Sequence, residues 1–321
     1  MTPLIHRILL ATDGSAYAAR AEEYALFLAS AWGASLDMVS VLEFPPGMNP
    51  EYPINDVYLG QLRKEADRHL ERLAERASQV GLSAKKQVVI GIPSQKITAI
   101  ARDNGDDLVV VGTHGRTGLE HVLLGSTAER VIRGAPCPVL AVRGHKPRTA
   151  QVPDRSSPIV VRRMLVPIDF SDCSLDALEY AVQVAKRLNA AVTILYVMEP
   201  LAYGLDFTLS HPSELEEKRA KLGRRLRDLT AAAAGCGLKA DEALRGGLPA
   251  DSILDHARSQ AVDLIVMGTH GRRGISHLVN GSVTEAVLRR ADCPVLTVRS
   301  PKFAPDHRPV VHKIEPTTNS E

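Results

Sequence analysis

Short apolar runs alternate along this chain with longer amphipathic stretches. In the first half, Ile5–Thr12 reads as a strand and Ala16–Trp32 as a helix opened by Ser15. Ser35–Leu42 is a second strand, followed by a loop marked by Pro45, Pro46, Gly47, Pro50 and Pro53. A charged helix then spans Val57–Val80, and Lys85–Ile90 is a third strand. Ser94–Asp103 is a helix, and Asp107–Gly112 is a strand whose continuous apolar residues suit burial on both faces. Thr127–Arg133 forms the last helix and Pro138–Arg143 the last strand. Strands alternating with helices predict an α/β protein with a parallel sheet and helices on both faces. Five strands with right-handed crossovers make a doubly wound domain.

The whole pattern occurs twice. Residues 107–118 read DLVVVGTHGRTG and residues 263–274 read DLIVMGTHGRRG, identical at nine of twelve positions with an offset of 156. The same offset carries Asp13 to Asp169, Ser15 to Ser171, Tyr24 to Tyr180, Gly91 and Pro93 to Gly247 and Pro249, and Cys137-Pro138 to Cys293-Pro294. No net insertion separates the halves, so they predict two repeats of one five-stranded fold. Residues 1–143 form the first repeat and 160–299 the second; residues 144–159, with Pro147, Pro153 and Pro158, read as a linker. The segment 300–321 lacks apolar periodicity and reads as a flexible C-terminal tail.

Composition narrows the function classes. Lys plus Arg number 39 against 37 Asp plus Glu in 321 residues, a net charge of +2. That balance is unsuited to a nucleic-acid partner, whose binding rests on phosphate neutralisation. Aromatics at 4% are too few for single-strand stacking platforms. No apolar run reaches the ~18–20 residues that span a bilayer, so no membrane partner is expected. The N-terminal segment has no small-residue cleavage site and reads as a strand. Cys137, Cys173, Cys236 and Cys293 are scattered without a Cys-x-x-Cys pair, which fits reduced thiols in the cytoplasm.

Candidate chemistry gathers where such sheets bind ligands, beyond the carboxyl ends of the strands. Asp13 and Asp169 close the first strand of each half. After the fourth strand comes Gly112-Thr-His-Gly115, nine residues, then Gly125-Ser126; the second half has Gly268-Thr-His-Gly271, nine residues, then Gly281-Ser282. Such a loop can cradle a phosphate, because glycines bring backbone N–H groups close to an anion. The following helix N-terminus adds donors and a favourable dipole end. Ser126 can bond a phosphate oxygen or cap the helix; the glycines can equally serve only tight turns. The G-x-x-x-x-G-K-[ST] loop is absent, and Gly112, Gly115 and Gly118 are not spaced as G-x-G-x-x-G. His114 and His270, with His121 and His277 seven residues on, have no carboxylate or cysteine completing a metal set. Arg116 and Arg272 either approach the phosphates or are solvated loop residues. Each half offers one obvious carboxylate and no activated nucleophile, so no catalytic residue is assigned.

The pattern G-x2-G-x9-G-[ST], with an Asp closing strand one, resembles the ATP-binding universal stress proteins across residues 4–143 and 160–299. The resemblance implies strand order 3-2-1-4-5 and a cytoplasmic stress-response protein with one ATP site per repeat, with or without magnesium. It places Asp13 and Asp169 by the ribose and adenine, and the Val41 and Val197 backbones at the adenine edge. Gly112, His114, Gly115, Arg116, Gly125 and Ser126 would then line the ribose and phosphates, as would Gly268, His270, Gly271, Arg272, Gly281 and Ser282. Ala11 stands where the family often has the proline seen here as Pro167. The resemblance further implies internal pairing of the repeats through their final strands, with homodimerisation left open. Slow ATP hydrolysis and a nucleotide-free interaction module are the alternative readings.

Overall fold

Isoleucine, leucine and valine runs set the strands of each half. The computed structural model describes residues 4–43, 53–114, 124–144, 158–199, 212–269, 282–299 and Val310. Contacts divide the chain into two units, Met1–Val160 and Val161–Glu321.

In the first unit the elements are β1 (Arg7–Ala11), α1 (Ala19–Trp32), β2 (Ser35–Leu42), α2 (Pro53–Gln79), β3 (Ala84–Ile90), α3 (Pro93–Asn104), β4 (Leu108–Gly112), α4 (Ser126–Gly134) and β5 (Val139–Val142). The strands lie in the order β3-β2-β1-β4-β5, all parallel. The second unit repeats this with β6 (Arg163–Ile168), α5 (Asp172–Leu188), β7 (Ala191–Met198), α6 (Pro212–Ala234), β8 (Ala240–Gly246), α7 (Pro249–Ser259), β9 (Leu264–Gly268), α8 (Ser282–Arg290) and β10 (Val295–Val298). Its order is β8-β7-β6-β9-β10, also parallel. Each unit is thus a doubly wound five-stranded sheet of order 3-2-1-4-5 with helices on both faces.

Burial explains the run-like strands. Ile8, Leu9 and Leu10 of β1 and Val109 and Val110 of β4 are wholly inaccessible, because both faces of the central strands are covered. Each such side chain contributes roughly 1.5–3 kcal/mol of burial free energy. The edge strand β3 instead has no buried residue and carries Lys85, Lys86 and Gln87 exposed, and the two lysine charges discourage pairing with another edge.

Helix starts differ from the sequence expectation, and α2 begins at Pro53, a residue read as loop, rather than at Val57. After Ser15 a turn precedes α1, which becomes regular at Ala19 rather than Ala16; Ser15 Oγ caps that turn by accepting the Ala18 N–H at 3.3 Å. In the second unit Ser171 is the true N-cap of α5, with its side chain accepting from the Ser174 N–H. For α4 the N-cap position falls on Gly125 and no side chain caps it, so Ser126 is the first helical residue and not the cap.

Candidate functional site

Sheet order brings the first and fourth strands of each unit side by side, the point where connections diverge to opposite faces and a crevice opens. Ala11 pairs with Val111, so Asp13 and Gly112 emerge from adjacent strands at the same carboxyl edge. Asp13 Oδ1 accepts the Ser15 N–H at 3.0 Å, an Asx turn that fixes its loop. Gly14 continues that loop with φ +71°, and its N–H donates to the Thr12 hydroxyl at 3.1 Å.

The glycines of the first loop are explained by crowding as well as by turning. A Cβ on Gly112 would lie 3.3 Å from the His114 carbonyl oxygen, and one on Gly125 would lie 3.0 Å from that of Thr113. The Gly125 N–H donates to that Thr113 oxygen at 2.7 Å. This bond ties the start of α4 to the end of β4 and sets the helix N-terminus beside the strand's carboxyl end. His114 Nδ1 lies 2.9 Å from the Thr113 hydroxyl, and its ring is 6.2 Å from that of Tyr17. Val41 lies near the end of β2, half-buried, in register with Val89. Asp13, Val41, Gly112, His114, Gly125 and Ser126 therefore all stand at the carboxyl edge; Gly115, Arg116 and His121 lie outside the described residues.

The second unit keeps the plan with different packing. Asp169 Oδ1 accepts both the Ser171 N–H, at 3.0 Å, and the Ser171 hydroxyl, at 2.6 Å. A Cβ on Gly268 would come within 2.8 Å of the Cys173 carbonyl oxygen, so α5 presses directly on the end of β9. The Thr284 hydroxyl donates to the Gly268 carbonyl at 2.8 Å and ties α8 to the same point. Val197 is in register with Arg245 near the end of β7, and Ser282 begins α8. His270, Gly271, Arg272, His277 and Gly281 lie outside the described residues.

Several residues at this edge escaped the sequence reading. Gly144, at the end of the first unit's last strand, sits so close to Tyr17 that a Cβ there would lie 2.1 Å from the Tyr17 carbonyl oxygen. Behind Asp13, Thr12 donates its hydroxyl to buried Glu22 at 2.6 Å, and Glu22 also receives His69 of α2 at 2.6 Å. Burial pushes the Glu22 carboxyl up, but the His69 and Thr12 hydrogen bonds and the charges of His69 and Arg76 outweigh it and hold it below the ordinary range. The second unit has Ile168, Leu178 and Arg225 at the matching positions. There Arg225 lies over the Phe170 ring at 4.1 Å, and Phe170 meets Tyr196 at 5.3 Å. Comparing the halves position by position would have exposed this exchange of a polar chain for a stacked one.

Cys137 and Cys173 are buried and none of the four cysteines is in a disulfide. Burial pushes the Cys293 thiol up to about 12, which leaves it unreactive at neutral pH. No group of three or more His, Cys, Asp or Glu side chains suited to a metal occurs among the described residues. No helix among the described residues is long and apolar enough to cross a membrane.

Two tandem doubly wound repeats, each with an Asp just after its first strand and a glycine ending the adjacent fourth strand, define the class of protein. The model of the universal stress protein family matches residues 5–143 and 161–299, and the chain belongs to that family. Universal stress protein MJ0531 of Methanocaldococcus jannaschii is 34% identical over 149 residues, covering 46% of this chain and 88% of that protein. Universal stress protein Slr1230 of Synechocystis is 27% identical over 313 residues, covering 91% of this chain and 99% of its own length, so it too is about two repeats long. Among solved structures, a universal stress protein from Archaeoglobus fulgidus superposes with a TM-score of 0.65 at 22% identity, covering 92% of this chain and 97% of that one. That likeness is one of fold.

Proposed function

We propose that this universal stress protein is a cytoplasmic ATP-binding protein with one adenine-nucleotide site per repeat. The observation that carries the reading is the bond from the Gly125 N–H to the Thr113 carbonyl, which sets a helix N-terminus beside a glycine strand end, one strand from Asp13. Anions favour such a place because the first-turn N–H groups have no helical partners and the dipole end is positive. The space fits a phosphate chain on the strand side, since Gly112 and Gly125 leave a cradle that Cβ atoms would narrow.

In this reading Asp13 and Asp169 hold the ribose hydroxyls as acceptors, and the Val41 and Val197 backbones meet the adenine edge. The phosphates rest on Gly112, Gly115, Gly125 and Ser126 in the first repeat and on Gly268, Gly271, Gly281 and Ser282 in the second. His114, Arg116, His270 and Arg272 face the phosphates as donors, which anionic oxygens accept strongly. Because Ser126 does not cap its helix, its hydroxyl suits a phosphate contact. Magnesium, when bound with ATP, would neutralise phosphate charge. Binding the folded state alone stabilises it by about 2.7 kcal/mol at a hundredfold excess over Kd, so nucleotide level is read out as a population of the ordered state. The reduced state of the four cysteines fits the cytoplasm.

The test is calorimetric titration of nucleotide-stripped protein with ATP and magnesium. Two ATP per chain are expected, with loss of binding in the Gly125→Val plus Gly281→Val variant. Absence of binding at millimolar ATP, or unchanged binding in that variant, overturns the reading.

A further inference from the structure

Helix α5 carries two acids on one face, and both are buried. Asp176 and Glu179 are three residues apart, which places them as neighbours on the helix surface, and each is wholly inaccessible. At the matching positions of the first repeat stand Arg20 and Glu23, a partly exposed ion pair at 2.7 Å. The second repeat has lost the cation of that pair and gained a like charge beside the remaining acid. Buried carboxylates demand hydrogen-bond donors, and Asp176 stands here where the first repeat has Arg20.

One donor comes from the C-terminal tail. Val310, twelve residues beyond the end of β10 at Val298, is wholly buried, and its backbone N–H donates to Glu179 Oε1 at 2.8 Å. The sequence around it suits an acidic seat: Lys302, Arg308 and Lys313 stand against Asp306 between residues 301 and 314. A main-chain N–H beneath a branched apolar side chain is also what an extended peptide presents to a receptor.

We propose that the Asp176–Glu179 face of α5 is a peptide-docking surface and that its resident occupant is this chain's own tail, seated through Val310. The tail acts as an intramolecular ligand that satisfies Glu179 and shields the acidic face. Its release uncovers that face for another extended, basic segment. The face belongs to a helix whose Cys173 backbone presses on Gly268, so docking bears on the helix packed against the end of β9. The inference does not depend on nucleotide binding.

The test uses the full-length protein. Hydrogen exchange at the Val310 amide is compared with a synthetic peptide of residues 303–314, and carbodiimide labelling reads the accessibility of Glu179. Exchange at least about tenfold slower than in the peptide, with Glu179 unlabelled, is expected. Val310→Asp, which lies outside both sheets, should return the neighbouring tail amides to the peptide rate and make Glu179 reactive. Glu179→Gln keeps an acceptor and should retain slow exchange, whereas Glu179→Leu should lose it. Exchange of Val310 at the peptide rate, or an unlabelled Glu179 in the Val310→Asp variant, overturns the proposal. Protection that fades on dilution overturns the intramolecular form, because the occupant would then be the tail of a second copy.

Discussion

Glu22 Oε1 lies 2.6 Å from His69 Nε2, joining α1 to α2 directly behind the Asp13 loop. The same oxygen accepts the Thr12 hydroxyl, whose oxygen in turn receives the Gly14 N–H. The chain of bonds therefore runs from α2 to the turn that presents Asp13.

Glu22→Leu should destabilise the first repeat by about 1–3 kcal/mol, because it strands the buried Thr12 hydroxyl and the half-buried His69 ring. Thr12→Ile and His69→Arg added to it reproduce the residues of the second repeat, and the triple variant should recover part of that loss. The folded Glu22 carboxyl lies below its ordinary value, so its contribution is full above the unfolded value of about 4.3 and disappears as pH falls through the folded one. Urea melts of the parent and Glu22→Leu proteins between neutral and acid pH should converge in that acid window.

Asp106 gives the opposite sign. It is buried two residues before β4, neither carboxyl oxygen has a close hydrogen-bond partner among the described residues, and burial with the nearby Asp37 charge pushes it up to about 7 against the opposing influence of Arg7 and Asn104. The folded state holds a proton that the unfolded state releases near pH 3.9, so stability falls as pH rises from there to about 7 and is then level. The total is up to ~4 kcal/mol. The second repeat has Val262 at this position. Asp106→Val should therefore raise the urea midpoint at pH 8 and flatten the profile between pH 4 and 7; an unchanged profile would count against the buried-acid account.

In the second repeat His256 is a buried base at an unrelated position. Both ring nitrogens are buried with no hydrogen-bond partner among the described residues, and burial, then the charge of Arg245, lowers its pKa. The native state keeps it neutral, so stability is lost as pH falls below the unfolded value of about 6.5. Its matching residue is Ile100, and His256→Ile should remove the acid-side loss without altering stability at pH 8 by a comparable amount.

Ala261 occupies a left-handed conformation with φ +45°, where the first repeat has Gly105 at φ +65°. A side chain there clashes with its own carbonyl, so Ala261→Gly should stabilise by about 1 kcal/mol and Gly105→Ala should destabilise similarly. Thermal melts of the two variants should shift in opposite directions.

Much of this molecule was legible in advance because the signals are local. The continuous apolar stretch Leu108–Val111 marks a strand covered on both faces, and the exact offset between the halves carries every element of one repeat onto the other. The glycine loops were legible for the same reason, since spacing along the chain is itself the motif. Helix starts were less so: Ser15 and Ser171 carry the same signal, yet one is followed by a turn and the other by a helix.

The sequence by itself determined the α/β class, the duplication, the placement of Asp13 and Asp169 at strand ends and the glycine loops that follow the fourth strands. Periodicity and turn chemistry act over a few residues and can be read there. Only the tertiary structure decided that Gly144 must be glycine against Tyr17, that Thr12, Glu22 and His69 form one chain of bonds, that Asp106 is buried beside the Asp37 charge, and that Val310 closes on Glu179. Each of these depends on packing between positions far apart in the chain, where burial and hydrogen bonding are settled by which surfaces meet.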